Sequence, residues 1–242
     1  GAEYVREVEC GELVEIGPDG LRSIQLIDEV KPAPCVFELV YFARPNSEVF
    51  GHSVHRSRVL MGEELAAQDE EDERRPDVVV PVPDSGFPAG IGYASGLPLE
   101  QGIIRSHYVG RTFILPDQDS RSHSINLKLS AIPHVVEGKR VALIDDSIVR
   151  GNTSRLIVQM VRDAGAKEVW MRIASPPLSW PCYLGINTPS REELAINQYE
   201  TVDGIRAAIG AEDLRYLNLD RLKRAVGGDR YCFGCMTGRY PV

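Results

Sequence analysis

Two adjacent carboxylates run into a short stretch of small and hydroxyl-bearing residues: Asp145-Asp146, then Ser147-Ile148-Val149-Arg150-Gly151-Asn152-Thr153-Ser154. The backbone N–H groups of such a loop, with the first turn of a following helix, form an anion site. Thr153 and Ser154 add hydroxyl donors. Paired carboxylates repel a bare phosphate at close range. Their natural ligand therefore carries hydroxyls or a metal next to its phosphate. A phosphorylated ribose meets that demand, with the acids on the 2′- and 3′-hydroxyls and the loop on the 5′-phosphate.

The flanking residues supply the elements that must hold this group. Val141-Ala142-Leu143-Ile144 reads as a buried strand, and Ile157, Val158, Met160, Val161 and Ala164 as one helix ending at Gly165. The acids then lie at the carboxyl edge of a sheet, where open α/β folds bind ligands. A second strand–turn–helix runs from Val78 to Pro83, through Pro83-Asp84-Ser85-Gly86, into Ala89–Ser95. It offers a second anion site. Glu168 to Ser175 predicts another strand, and Leu214 to Leu219 a short one. Helical patterns cover Ser190–Ile196 and Val202–Ile209, the latter with Thr201 as N-cap. This alternation is that of an α/β protein with a mostly parallel sheet flanked by helices.

The chain has 242 residues, 43% hydrophobic and 26% charged, which fits a soluble globular protein of one domain or a little more. No apolar run approaches the roughly 18 residues of a membrane span, and no secretory signal is visible. The net charge of −8 argues against a nucleic-acid partner. Residues 1–30 read as β: Tyr4–Val8, Leu13–Ile16, a turn at Gly17-Pro18-Asp19-Gly20, and a return strand from Leu21 to Ile27. Pro32 and Pro34 mark a linker. Gly51 to Gln68 predicts a helix. Residues 69–75 form a charge cluster that reads as a solvated helix end. Gly102 to Ser130 is long, weakly patterned and basic, with Arg105, Arg111, Arg121 and Lys128, a composition suited to closing over a charged ligand. His107 and His123 within it read as solvated or loop-packing, and His52, His55 and His134 as structural. Five cysteines, two of them in Cys232-Phe233-Gly234-Cys235, favour metal or redox use over disulfides. Cys35, Cys182, Cys232 and Cys235 suffice for a zinc ion or an iron–sulfur cluster if the fold gathers them. Cys10 is left over, expected as a buried apolar residue.

The string DDSIVRGNTS resembles the phosphoribosyl-pyrophosphate (PRPP) signature of type I phosphoribosyltransferases, in the form used by the glutamine PRPP amidotransferases. The VPDSG loop, YVGRTFI, FARP after Cys35, the R-x-x-x-G spacing of Arg58 and Gly62, and the closing TGRYP resemble the same family in the same order. The resemblance implies a type I phosphoribosyltransferase fold over residues 31–242, with Cys35 preceding an apolar strand. It implies that residues 1–30 are the tail of an Ntn-hydrolase glutaminase domain. That domain needs an amino-terminal cysteine, and Gly1 stands first, so the chain reads as a fragment without glutaminase activity of its own. The implied reaction joins ammonia to PRPP, giving 5-phosphoribosylamine and pyrophosphate at the opening of purine biosynthesis. A PRPP-binding regulatory or salvage phosphoribosyltransferase module is the alternative.

The resemblance also implies the roles of single residues. Asp145 and Asp146 hold ribose hydroxyls and, with Ser85, Mg²⁺. Asp84, Ser85 and Gly86 hold pyrophosphate. Ser147, Arg150, Gly151, Asn152, Thr153 and Ser154 cradle the 5′-phosphate. Arg111 and Lys128 belong to a catalytic loop. Cys35, Cys182, Cys232 and Cys235 carry a [4Fe–4S] cluster, as in one branch of the family. Further implied are feedback inhibition by purine nucleotides, a homotetramer and a cytoplasmic location, with no nucleic-acid or membrane partner.

Overall fold

The structure is a computed structural model and describes residues 3–28, 31–70, 74–105 and 129–241. Two strands, β1 (Glu12–Gly17) and β2 (Gly20–Gln25), pair antiparallel around the Pro18-Asp19 turn, Gly17 opposite Gly20. Tyr4–Val8 is not a strand, and the hairpin leaves Ile16 and Leu21 exposed. Cys10, expected in a core, is exposed too. A two-stranded ribbon has no second layer to bury its apolar side chains against.

The apolar stretch after Cys35 is not a strand. Glu38–Phe42 forms a single π-helical turn, with Leu39 and Val40 buried. The cause is Arg58, 3% exposed, whose guanidinium donates to the carbonyls of Leu39 (2.9 Å), Ala43 (2.8 Å) and Glu38 (3.4 Å). Three carbonyls facing one cation need a coiled backbone, and an extended one cannot present them together. The short strands β3 (Glu48–Val49) and β4 (His52–Ser53) lead into helix α1 (Val54–Asp69), where the Ser53 hydroxyl accepts from the Arg56 N–H.

The main sheet joins β5 (Val78–Pro81), β8 (Arg140–Asp145), β9 (Glu168–Ile173) and β10 (Asp213–Tyr216), all parallel, in the order β10-β9-β8-β5. Between β5 and β8 come α2 (Phe87–Tyr93), the antiparallel pair β6 (Ile103–Arg105) and β7 (Leu129–Ala131), and α3 (Pro133–Val136). Helix α4 (Asn152–Asp163) links β8 to β9. After β9 come a 3₁₀ turn (Arg191–Glu193), α5 (Ala195–Gln198) and α6 (Val202–Ile209). After β10 come α7 (Leu219–Ala225) and α8 (Gly234–Thr237). The helix read over Ser190–Ile196 is thus broken at Leu194, which is extended and fully buried. The strand read to Leu219 stops at Tyr216, because Asn218 caps α7.

The two faces of the sheet bury different sets of side chains, as alternation along a strand requires. Val79, Ala142 and Ile144 pack with Met61, Leu65 and Tyr93 of α1 and α2. Val78, Val80, Val141, Leu143, Val169 and Met171 pack with Ile157, Val158 and Val161 of α4 and Ile205 of α6. Helices α1 and α2 touch at backbone distance, since a Cβ on Gly62 would lie 1.9 Å from the Ala89 carbonyl oxygen. That contact explains the glycine of the R-x-x-x-G spacing.

The charge cluster at residues 69–75 begins inside the protein. Asp69 is 6% exposed. It pairs with the buried Arg172 of β9, with Arg215 at 3.0 Å, and accepts from the Tyr93 hydroxyl at 2.5 Å. Arg172 also meets Asp213 at 2.6 Å.

Candidate active site

Asp145 is the last residue of β8, and both it and Asp146 are buried. Their backbone is clamped by the two residues that follow β9: the Ala174 N–H donates to the Asp145 carbonyl at 2.9 Å, and the Ser175 hydroxyl to that of Asp146 at 2.8 Å. Asp145 Oδ1 accepts the Asp146 N–H at 2.9 Å, and Asp146 Oδ2 accepts the Ser147 hydroxyl at 2.5 Å. The acids therefore hold one orientation before any ligand arrives. Burial, and after it the neighbouring Asp146 carboxylate, push Asp145 well above the usual carboxylate range. A pair in this state favours a cation or hydroxyl donors over solvent.

The next residues turn out to the N-terminus of α4. Gly151 takes φ +83°, a left-handed conformation that favours glycine, and no side chain caps the helix. The first N–H groups of α4 thus face out of the helix beside Thr153, exposed, and Ser154, buried. Ile157, Val158 and Val161 anchor the helix from behind, each burial worth about 1.5–3 kcal/mol.

The Pro83–Gly86 loop stands beside this site because β5 neighbours β8. The Val82 N–H donates to the Ile144 carbonyl at 2.8 Å. A Cβ on Gly86 would lie 2.2 Å from the same oxygen, so only glycine lets the loop sit this close. Pro83–Asp84 is a cis peptide. Ser85 is half-buried, while Asp84 is exposed and paired with Arg105 at 3.2 Å. Arg105 closes β6 and faces Leu129 of β7, so the pair brings together the two ends of segment 106–128. Arg111 and Lys128 lie outside the described residues.

Two residues at the site were given no part in it by the sequence. Arg58 is the first. Burial lowers its pKa, and the charges of Asp146 and Glu38 work against that, so this cation lies in the field of Asp146. Glu193 is the second, reaching Arg150 of the loop at 3.1 Å. Arg58 was visible only as a spacing. Nothing local in the sequence links residue 150 to residue 193.

The four cysteines Cys35, Cys182, Cys232 and Cys235 are brought into one neighbourhood, and all are free. Cys35 and Cys232 form a parallel backbone bridge. Burial, and then the fields of the other three thiols, push Cys235 up to about 12. The N–H groups of Leu184 and Ile186 point at Cys182 Sγ, and that of Gly234 at Cys232 Sγ, each at 3.5 Å. Among the described residues no three His, Cys, Asp or Glu side chains stand at the spacing of a single bound metal ion.

An acid pair and a phosphate-sized loop stand at the carboxyl edge of a parallel sheet, and the phosphoribosyl transferase domain family matches residues 55–174, this site included. The relatives narrow this. The chain is 51% identical to the chloroplastic amidophosphoribosyltransferase of Glycine max, over 100% of this chain and 42% of that protein. It is 50% identical to the amidophosphoribosyltransferase of Rhizobium etli, over 100% of this chain and 51% of that protein. It is similar in structure to the glutamine PRPP amidotransferase from B. subtilis complexed with ADP and GMP. There the TM-score is 0.85 at 45% identity, over 98% of this chain and 53% of that one. The chain belongs to the amidophosphoribosyltransferase family. It spans about half the length of the curated relatives it matches.

Proposed function

We propose that this chain carries the phosphoribosyl-transfer half of an amidophosphoribosyltransferase: ammonia attacks C1 of PRPP with inversion, pyrophosphate leaves, and 5-phosphoribosylamine forms. The observation that carries this reading is the buried, pre-oriented Asp145–Asp146 pair set directly beside an uncapped helix N-terminus. Asp145 and Asp146 bind the ribose hydroxyls and stabilise the positive charge that develops at C1. The loop Ser147–Ser154, Arg150, Gly151, Asn152 and Thr153 included, cradles the 5′-phosphate. Asp84, Ser85 and Gly86 bind the pyrophosphate, whose departure is helped by donors already in place. Arg111 and Lys128 close over it. No strong base is required, because free ammonia is already a nucleophile.

Two groups complete the reading. Asp145, Asp146 and Ser85 suit Mg²⁺, a hard cation bound by oxygens, which when present balances the charge of the pyrophosphate. Cys35, Cys182, Cys232 and Cys235 fit a [4Fe–4S] cluster: four unbridged thiols lie in one neighbourhood, with N–H groups aimed at two of the sulfurs. Such a cluster would serve the fold of the carboxy-terminal segments. Residues 1–30 are read as the tail of a glutaminase domain and 31–242 as the transferase domain. Glutamine is the proposed source of the ammonia where a glutaminase domain is joined to this chain. Purine nucleotides are the proposed feedback inhibitors, in line with the ADP and GMP of the B. subtilis complex. A homotetramer in the cytoplasm, opening purine biosynthesis, is the proposed setting. Among the described residues no helix is long and apolar enough to cross a membrane.

Thermal unfolding with PRPP, with and without Mg²⁺, tests the site. The reading expects stabilisation that needs both and is lost in D146N. Equal stabilisation without Mg²⁺, or none at saturating PRPP, would count against it.

A further inference from the structure

We infer that Glu193 is a positioning residue for the loop Ser147–Ser154, acting through Arg150. The inference rests on the reading that this loop takes the 5′-phosphate.

Arg150 lies midway between the acid pair and α4. Its guanidinium is 3.1 Å from Glu193 Oε1. The other oxygen of Glu193 accepts the Ser190 N–H at 3.1 Å, so the carboxylate is held from both sides by a capping box and by the loop. Two residues on, the Ala195 N–H donates to the Val149 carbonyl at 2.8 Å, the residue just before Arg150. Leu194 and Ala195, between and beside these contacts, are buried. The Glu193 segment therefore grips the loop once through a side chain and once through the backbone.

That segment is itself braced. Asn197 Nδ2 donates to the carbonyls of Ser179 (2.9 Å) and Arg191 (2.7 Å). The Arg191 guanidinium lies 3.7 Å over the Trp180 ring. The Ser179 and Trp180 N–H groups both donate to the Cys235 carbonyl, at 2.9 and 3.0 Å. A continuous set of contacts thus joins the cysteine region to the phosphate loop, and Glu193 is its last member.

Ion pairs half open to solvent add little to folding stability. Orientation is the better account. With Arg150 directed to Glu193, the interior of the loop is left to backbone N–H groups and to Thr153 and Ser154. Without Glu193, Arg150 and the backbone beside it lose their fixed direction, and the cradle is no longer set before the phosphate arrives. The cost falls on the 5′-phosphate and spares the pyrophosphate loop, which hangs on Gly86 and Val82.

The test is a pair of calorimetric titrations on the chain, one with ribose 5-phosphate and one with magnesium pyrophosphate, for the wild type, E193Q, R150Q and the double variant. The inference expects E193Q to weaken ribose 5-phosphate by about three- to tenfold, a modest misplacement penalty, and to leave pyrophosphate unchanged. R150Q should do the same, and the double variant no worse than the weaker single. Unchanged ribose 5-phosphate affinity in E193Q would overturn the inference. So would an equal loss for both ligands, which marks a structural role only. A wild type that binds neither ligand would remove the phosphate-loop reading itself, and this inference with it.

Discussion

Asp145 is 8% exposed and stands against a second carboxylate, so its charged form is disfavoured by burial and by its neighbour. A carboxyl whose folded pKa is raised favours folding while protonated, and that contribution is lost as pH rises through the elevated value. The ligand-free chain should therefore lose stability above the usual carboxylate range. D145N keeps the oxygen that accepts the Asp146 N–H but removes the charge. In differential scanning calorimetry at neutral pH without ligand, D145N should melt higher, by about 2–4 °C for each kcal/mol relieved in a chain this long. Its rate of pyrophosphate release should fall by orders of magnitude. A lower melting temperature in D145N would contradict the strain assigned to the pair. Asp69 is buried against the cations Arg172 and Arg215. D69A leaves Arg172 buried without that counter-charge and should cost about 3–5 kcal/mol in urea unfolding. The first of these residues was legible from its neighbours in sequence. The second was read as a solvated helix end, because its partners Arg172, Arg215 and Tyr93 lie far along the chain.

The elements that position the site were legible where the local pattern admitted one answer. Val78–Pro81 and Val141–Asp145 are buried on both faces, and an unbroken apolar run after a charge describes such a strand. The turn at Glu38–Phe42 was read as extended, since a run of large apolar residues fits a strand as well as a helical turn. What decided it was the distant cation Arg58. Contact between elements is where glycine is demanded. Gly86 lets the Pro83–Gly86 loop rest on the end of β8, and a methyl group there meets the Ile144 carbonyl oxygen at 2.2 Å. G86A should cost about 1–3 kcal/mol of stability. It should also raise the KM for PRPP, because the loop moves off the acid pair. A variant with wild-type KM would show that the loop's seat on β8 is irrelevant to substrate binding.

At the scale of the molecule, one four-stranded parallel sheet carries both loops on adjacent strands at a single edge. That placement follows from strand order, which no local pattern states. The amino-terminal hairpin and the four-cysteine region lie apart from that edge in sequence. The proposed reading is a transferase half that accepts free ammonia. The most direct test is pyrophosphate release from PRPP and Mg²⁺ by anaerobically purified chain, with ammonium or with glutamine as the nitrogen donor. Release with ammonium and not with glutamine, abolished in D145N, is the result predicted. Full release in D145N, or no ammonium-dependent release from a folded chain that binds PRPP, would contradict it.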